Sequence, residues 1–405
     1  MRQDRVRSVI VAAARTPVGR FGGALADVPA VSLGASAIEA ALARAAARSA
    51  STDLGTLCPQ VDYVIMGHVL QAGTGQITAR QAAVAAGLPA EVPAISVNKV
   101  CLASLSAIAL ADQLIRAGEI EIAVAGGMES MSLAPFVVPG VRWGRRTGDG
   151  RLVDTLVHDG LWSSFTGQSM GESSDSLNAA LGINRMEQDA WAARSHRRAA
   201  LAWESGRFAD EVIPVEVEPG PHVVRRDEGI RPETGEAALA RLAPAFSTDG
   251  TITAGNASQL SDGGAAVVVM RADRAEALGI PALVEILAHG MCAQQFANLH
   301  TVPAIALQRA AKKAGVHPAD LGLVEINEAF ASVAIHSTRL LSVDEQIVNV
   351  NGGSVALGHA LGSTGARMAV TLVHEMIRRG VELGGVTLCG GGGQGDALVL
   401  RLAER

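Results

Sequence analysis

The 405-residue chain reads as a layered α/β fold in which one structural plan is used twice. The first observation lies near residue 95. Ile95 and Val97 alternate as in a strand, a turn occupies Asn98 to Cys101, and Leu102, Leu105, Ile108 and Ile115 recur at helical spacing up to Gly118, where the strand IEIAVAGG begins. The second is the return of that order near residue 347: strand IVNVNGG, a glycine-rich turn around GHALGSTG, helix ARMAVTLVHEMIRRG and strand VTLCGGGG. The third is composition. At 48% hydrophobic and 18% charged residues, the chain can fill more than one core, and no stretch reads as disordered.

Taken in order, the opening MRQDRVRSVIVAAARTP carries basic residues before an apolar stretch too short to span a bilayer, and predicts a first strand. ASAIEAALARAAARSA is low in complexity, but its leucine and isoleucine spacing among strong helix formers predicts a buried helix. Residues 132–260 lose the repeat and carry proline, glycine and charge clusters such as VPGVRWGRRTGDGR and EVEPGPHVVRRDEGIRPETG, as expected of an inserted loop domain. Within them, INRMEQDAWAARSHRRAALAWESG predicts a helix started by Asn184 and stopped by glycine. The expected organisation is therefore 1–131 and 261–281 as one domain, 132–260 inserted into it, and 282–405 as its second copy.

A net charge of −6 gives no electrostatic reason to expect a nucleic-acid partner. The four cysteines, Cys58, Cys101, Cys292 and Cys389, have no C-x-x-C spacing, so neither a disulfide framework nor a zinc site is expected. Free thiols and the lack of an export signal lead to the expectation of a cytoplasmic protein without a metal.

Two of those cysteines sit at the ends of apolar runs. Cys101 stands where a strand hands over to a helix, and the unpaired amides and positive dipole end of a helix favour thiolate. A buried cysteine is also a common small core residue. Cys389 precedes Gly390 to Gly393, and glycines let backbone N–H groups approach a reacting oxygen closely. GGGGQG also fits a dinucleotide-binding glycine pattern, but only ten residues follow Gly395, too few for the βαβ unit that pattern requires. His359, between Gly358 and Ala360, has an imidazole whose ordinary pKa of about 6.5 suits proton transfer. Asn327 in EINEAFAS can polarise a carbonyl or hold a water without adding charge; it could equally cap a turn.

These blocks, in this order and with ARTPVGRFGGAL, GTITAGNAS and SDGGAA, resemble the thiolase family nearly from end to end. The resemblance implies a duplicated thiolase fold, layered α/β/α/β/α, whose inserted loop domain covers the site. It implies acyl transfer between CoA thioesters: Claisen condensation of two acetyl-CoA to acetoacetyl-CoA plus CoA, or the reverse thiolysis. By resemblance, Cys101 is acylated after His359 takes its proton, Cys389 is the acid/base at the α-carbon, and the Gly391 amide holds the oxyanion. Asn327 fixes a water that joins His359 in a second oxyanion hole. Pantetheine is expected along Ala254 and Ser258, with Leu161, Met170, Ala329 and Phe330 as apolar walls and Arg231 near the nucleotide end. Acetyl-CoA, acetoacetyl-CoA or other 3-oxoacyl-CoA and free CoA are then substrates and products, and no cofactor is needed. A homo-oligomer, a dimer of dimers, is expected, with GGMESMSLAPF and VPGVRWG as contact segments.

Three departures from the family pattern stand out. Leu102, Ala103 and Ser104 replace the usual glycine-serine-glycine after the cysteine, and Leu102 is expected to add bulk near the acyl group. Ala360 replaces the proline of the GHP motif, which is expected to loosen the loop. Ser169 stands where many biosynthetic thiolases have histidine. A degradative 3-oxoacyl-CoA thiolase of broader chain length is the nearest alternative. Cys389 argues against a decarboxylating ketoacyl synthase, and a catalytically silent acyl-CoA or lipid-binding protein requires the departures to misplace the site.

Overall fold

The alternation in SVIVAAAR sends the side chains of strand β1 (Ser8–Arg15) into two different cores, Val9 and Val11 into one and Ile10 and Ala13 into another. A strand buried on both faces needs a layer on each side, and the computed structural model, which describes residues 6–217 and 222–404, supplies them. The first half contains β1, helix α1 (Ala30–Ala47), β2 (Tyr63–Gly67), β3 (Ala94–Val97), α2 (Ala103–Ala117) and β4 (Ile122–Ser130). After an insert holding α3 (Met170–Asn178) and α4 (Arg185–Glu204), the chain returns as β5 (Ser261–Arg271). The second half contains β6 (Val284–Ala293), α5 (Val302–Ala314), β7 (Leu323–Ile326), α6 (Ala331–Leu341), α7 (Thr364–Arg379), β8 (Leu383–Gly390) and β9 (Gln394–Leu402).

Strand order exposes the duplication. The first half runs β1-β5-β4-β2-β3, with two antiparallel pairings followed by two parallel ones. The second runs β6-β9-β8-β7, with two antiparallel pairings and one parallel. A short antiparallel pairing of Ser8–Ile10 with Val284–Ile286 joins the halves. Helix α1 covers the outer face of the first half, α5 and α6 cover that of the second, and α2 and α7 fill the middle core between them. Helices Ala30–Ala47 and Val100–Ala117 are apolar and long enough to cross a bilayer, but both are packed into these cores.

One predicted strand is absent. IVNVNGG supplies only a parallel bridge from Val348 to Val324 on β7, because Asn349 turns to φ 47°. Its side-chain amide takes over the ladder, donating to the Ile326 carbonyl and accepting from the Ile326 N–H at 2.8 Å each. The predicted helix in the insert runs Arg185–Glu204 and opens on a reciprocal capping box between Asn184 and Glu187.

The ARTP segment anchors the insert. Arg15, fully buried at the end of β1, places Nε 2.7 Å from Glu211 and its two terminal nitrogens 2.7 and 3.0 Å from Asp227. Burial alone would lower its pKa, but the two carboxylates raise it above the ordinary arginine value. Glu211 also accepts from Thr371 on α7 at 3.0 Å, so one guanidinium ties strand, insert and middle layer together.

The middle layer is closed by backbone contact. A Cβ on Gly127 of β4 would lie 2.0 Å from the Gly362 carbonyl and 2.6 Å from Ser104 Cβ, and one on Gly365 would lie 2.7 Å from the Leu105 nitrogen. Gly127→Ala is therefore expected to destabilise the protein by about 1–3 kcal/mol through overpacking. Gly235→Ala, whose Cβ meets open space, should stay within about 0.5 kcal/mol of the parent. Denaturant melts of the two variants measure the difference.

Candidate active site

The turn that carries Cys101 is strained. Val100 adopts φ 52°, a left-handed conformation that a β-branched residue avoids. Several bonds hold it there: Asn98 Oδ1 accepts from the Val100 N–H at 3.1 Å, Ala103 N–H donates to the Val100 carbonyl at 3.0 Å, and Lys99 Nζ pairs with buried Asp396 at 2.7 Å. Asp396 also accepts from Ser106 on α2, so the first-half turn is fastened to β9 of the second half. Cys101 follows, half-buried, two residues before α2.

Its sulfur is the meeting point of the two halves. Burial pushes the thiol up to about 12, while the neighbouring backbone amides of Cys101 and Gly391 pull the other way. Desolvation thus outweighs the helix terminus, which corrects the expectation that position alone makes a thiolate: the free site holds a thiol and needs a base. Cys389, the next-to-last residue of β8, is fully buried, and its pKa is raised by burial and then by proximity to Cys101. Gly391 opens the turn to β9, with Val100 and the Met170 sulfur beside it, and Gly392 and Gly393 take φ of 79° and 69°. This tight antiparallel connection, rather than a phosphate-binding loop, is what GGGGQG encodes.

His359 approaches from the opposite loop. Gly358 takes φ 109°, and a Cβ there would lie 2.2 Å from Ser261 Oγ, so only glycine fits. The His359 N–H donates to the Gln259 carbonyl at 2.9 Å, and Nδ1 lies 2.7 Å from Thr364 Oγ1. Thr364 donates its own hydrogen to the Ala360 carbonyl at 2.8 Å, so it accepts from Nδ1–H and leaves Nε2 unprotonated. Burial, and then the charge of Arg367, lower the imidazole to about 3, so it is neutral at working pH with the Nε2 lone pair free. Nε2 faces Asn327 Nδ2 at 3.5 Å, a contact longer than a good hydrogen bond. Leu361 and Leu260, the latter bridged to His359, pack in the same apolar cluster as Cys101 and Leu161.

With a thiol, a second thiol and a glycine amide converging from both halves, the sequence matches the N-terminal domain of thiolases over residues 8–273 and the C-terminal domain over 280–402. The chain belongs to the thiolase family. It is similar to a probable acetyl-CoA acetyltransferase of Mycolicibacterium smegmatis, 52% identical over 396 residues that cover 97% of this chain and 100% of that one. It is 49% identical to the acetyl-CoA acetyltransferase of Pseudomonas aeruginosa, over 97% and 98% of the two chains. The crystal structure of the Bacillus anthracis acetyl-CoA acetyltransferase matches with a TM-score of 0.93 at 38% identity, covering 98% and 99%.

Around the reacting groups of this thiolase, the apolar residues expected to line pantetheine are grouped in part. Ser258 N–H donates to the Ala329 carbonyl at 3.0 Å and Ala257 bridges Phe330, while Met170 stands by Gly391 and Leu161 packs against the same apolar cluster as Cys101. Ala254 is exposed next to this strip. Arg231 is also exposed, but its backbone is held by His196 on α4 at 3.1 Å, a tie to the insert rather than to the catalytic turns.

The three departures each have a visible structural setting. Leu102 is fully buried in the middle core and lies under Gly390, where a Cβ would meet Leu102 Cγ at 2.6 Å, so it supports the end of β8. The loop carrying Ala360 is bonded to the first half. The carboxylate of Glu129 accepts from the amides of Val69, Leu70 and Gly362 at 3.1, 3.1 and 2.9 Å and straps the histidine loop to the first half. Ser169 has a local role, capping α3 in a reciprocal box with Glu172.

Sequence reasoning missed Glu129, Thr364, Ser354 and Arg367. The one signal for Glu129 was an acid inside the apolar strand AVAGGMES; burial raises it to about 7 despite its three amide donors. For the free enzyme, a thiol near 12 predicts that iodoacetamide labelling of Cys101 rises about tenfold per pH unit from pH 7 to 9 without levelling. Peptide mapping across that range measures it, and a plateau below pH 8 would contradict the raised thiol pKa.

Proposed function

We propose that this thiolase transfers acyl groups between CoA thioesters, converting two acetyl-CoA to acetoacetyl-CoA and CoA or running the reverse thiolysis. The observation that carries the reading is the Cys101 sulfur, set beside the Gly391 amide and Cys389 with a neutral histidine in the facing loop. The names of the relatives support acetyl-CoA as donor.

His359 Nε2 takes the Cys101 proton and the sulfur attacks the acetyl thioester. The amides of Cys101 and Gly391 hold the tetrahedral oxyanion. CoA leaves with a proton from Cys389, giving acyl-Cys101, protonated His359 and a Cys389 thiolate. Cys389 then removes an α-proton from the second acetyl-CoA, whose carbanion attacks the acyl-enzyme while His359 and a water held by Asn327 face its thioester oxygen. Cys101 departs and regains its proton from His359, so every group returns to its starting state. Thioester chemistry of this kind requires no separate cofactor, and CoA compounds are its substrates.

A homo-oligomer fits the exposed apolar surface. Ile95, on edge strand β3, is 42% exposed, and the arm containing Phe136 and Trp143 is 61% and 91% exposed at those residues. Pairing through β3 and through the arm would build a dimer of dimers. Four free cysteines suit a reducing, cytoplasmic setting.

Brief exposure to acetyl-CoA should place the acetyl group on Cys101, read by peptide mapping. Cys389→Ser should lower condensation by about a hundredfold or more while acylation persists; His359→Ala should slow both. A label on Cys58 or Cys292, with Cys101 untouched, would overturn the assignment. Light scattering should return a tetramer. A chain-length series should give acetoacetyl-CoA a higher kcat/KM than 3-oxohexadecanoyl-CoA, the reverse order pointing to the degradative activity.

A further inference from the structure

Arg367 lies on α7, eight residues beyond His359, and is only 3% exposed. Its Nη2 donates to Ser354 Oγ at 3.3 Å, and the Ser354 hydroxyl donates to Asn327 Oδ1 at 2.6 Å. Asn327 is left with Nδ2 toward His359 Nε2. A side-chain amide can present either its oxygen or its nitrogen to a site, and its neighbours decide which. A hydroxyl whose lone pair faces a guanidinium must aim its hydrogen away from it. Arg367 therefore sets the direction of Ser354, and Ser354 sets that of Asn327.

The guanidinium is poorly compensated for a structural ion. Nη1 lies 3.5 Å from Glu325 Oε2, and Arg367 Nε, Nη1 and Glu325 Oε2 make no hydrogen bond among the described residues. Burial lifts Glu325 to about 8 in spite of the neighbouring cation. Arg15, with its partners Glu211 and Asp227, makes the contrast: that guanidinium is bonded to both carboxylates. A buried and incompletely paired charge costs stability that an apolar side chain would not, so its presence beside Asn327 calls for a role in the site.

We propose that Arg367 is a positioning residue which, acting through Ser354, holds Asn327 with its amide N–H groups toward His359 and the water that, with His359, meets the oxygen that becomes negative in carbon–carbon bond formation and cleavage. The inference rests on the thiolase reading of Asn327 given above. It predicts a split between the two halves of the reaction, because Asn327 serves the carbon–carbon step and the amides of Cys101 and Gly391 serve acylation.

The test uses Ser354→Ala, which breaks the link and keeps Arg367, and Arg367→Lys, which keeps the buried cation and loses the planar fork. Single-turnover acylation by acetyl-CoA, followed by intact mass, should stay within about twofold of the parent for both variants. Steady-state thiolysis of acetoacetyl-CoA should lose about tenfold or more in kcat, with KM within about twofold. Full kcat in either variant, or acylation and kcat falling in parallel, would overturn the proposal. Failure of the parent enzyme to form acyl-Cys101 would instead overturn the underlying reading, so the two are separable.

Discussion

The contact between the two halves in the middle layer is the constraint from which the site follows. Gly127 faces the Gly362 carbonyl and Gly365 faces the Leu105 nitrogen so closely that neither position has room for a Cβ. Ser104 Oγ, on the first turn of α2, accepts from the Ala366 N–H at the start of α7, 3.0 Å away, so the first half helps to satisfy the helix start of the second. Cys101 precedes α2 and His359 precedes α7, at related places in the repeated plan. Closing the helix starts together is what allows two separate turns to become one site.

Desolvation then decides the protonation states. The same burial that raises both thiols lowers His359, so the resting site is neutral and charge develops only as the reaction proceeds. In such a setting fixed donors are worth more than mobile ones, since no water reorganises to replace them. The polar groups that remain are tethers: Thr364 on the imidazole, Ser354 on the asparagine, Lys99 on Asp396 and Glu129 on three amides. They hold reacting side chains that lie on turns, where backbone alone gives little precision.

The insert is attached through the same few residues that frame the site. Glu328, beside Asn327, accepts from Trp191 and Ser195 of α4 at 2.9 and 2.7 Å and from the Asn349 amide at 2.9 Å. Phe165 of the insert stacks on Phe296 of the second half with ring centroids 4.3 Å apart, next to Gly392. Covering the turns and fixing them are therefore one structural task.

By itself the sequence determined the repeated turn–helix–strand plan, the capped helix of the insert and the identity of the chemistry-bearing side chains. Those properties are local: periodicity, capping residues and glycines at turns are written in neighbouring positions. Asn349 shows the limit, because a strand pattern yielded to a side chain that pairs with the Ile326 backbone. Leu102 shows it again, since adjacency to Cys101 in sequence said nothing about which way the side chain would point, and strand-to-helix geometry turned it into the core. Tertiary structure alone decided that Glu129 would strap the histidine loop and that Arg367 would reach Asn327. Those contacts join residues 233 and 40 positions apart, the former directly from Glu129 to Gly362 and the latter through Ser354. Distance along the chain carries no signal of such proximity, and burial, which sets the protonation states, exists only once the two halves have closed.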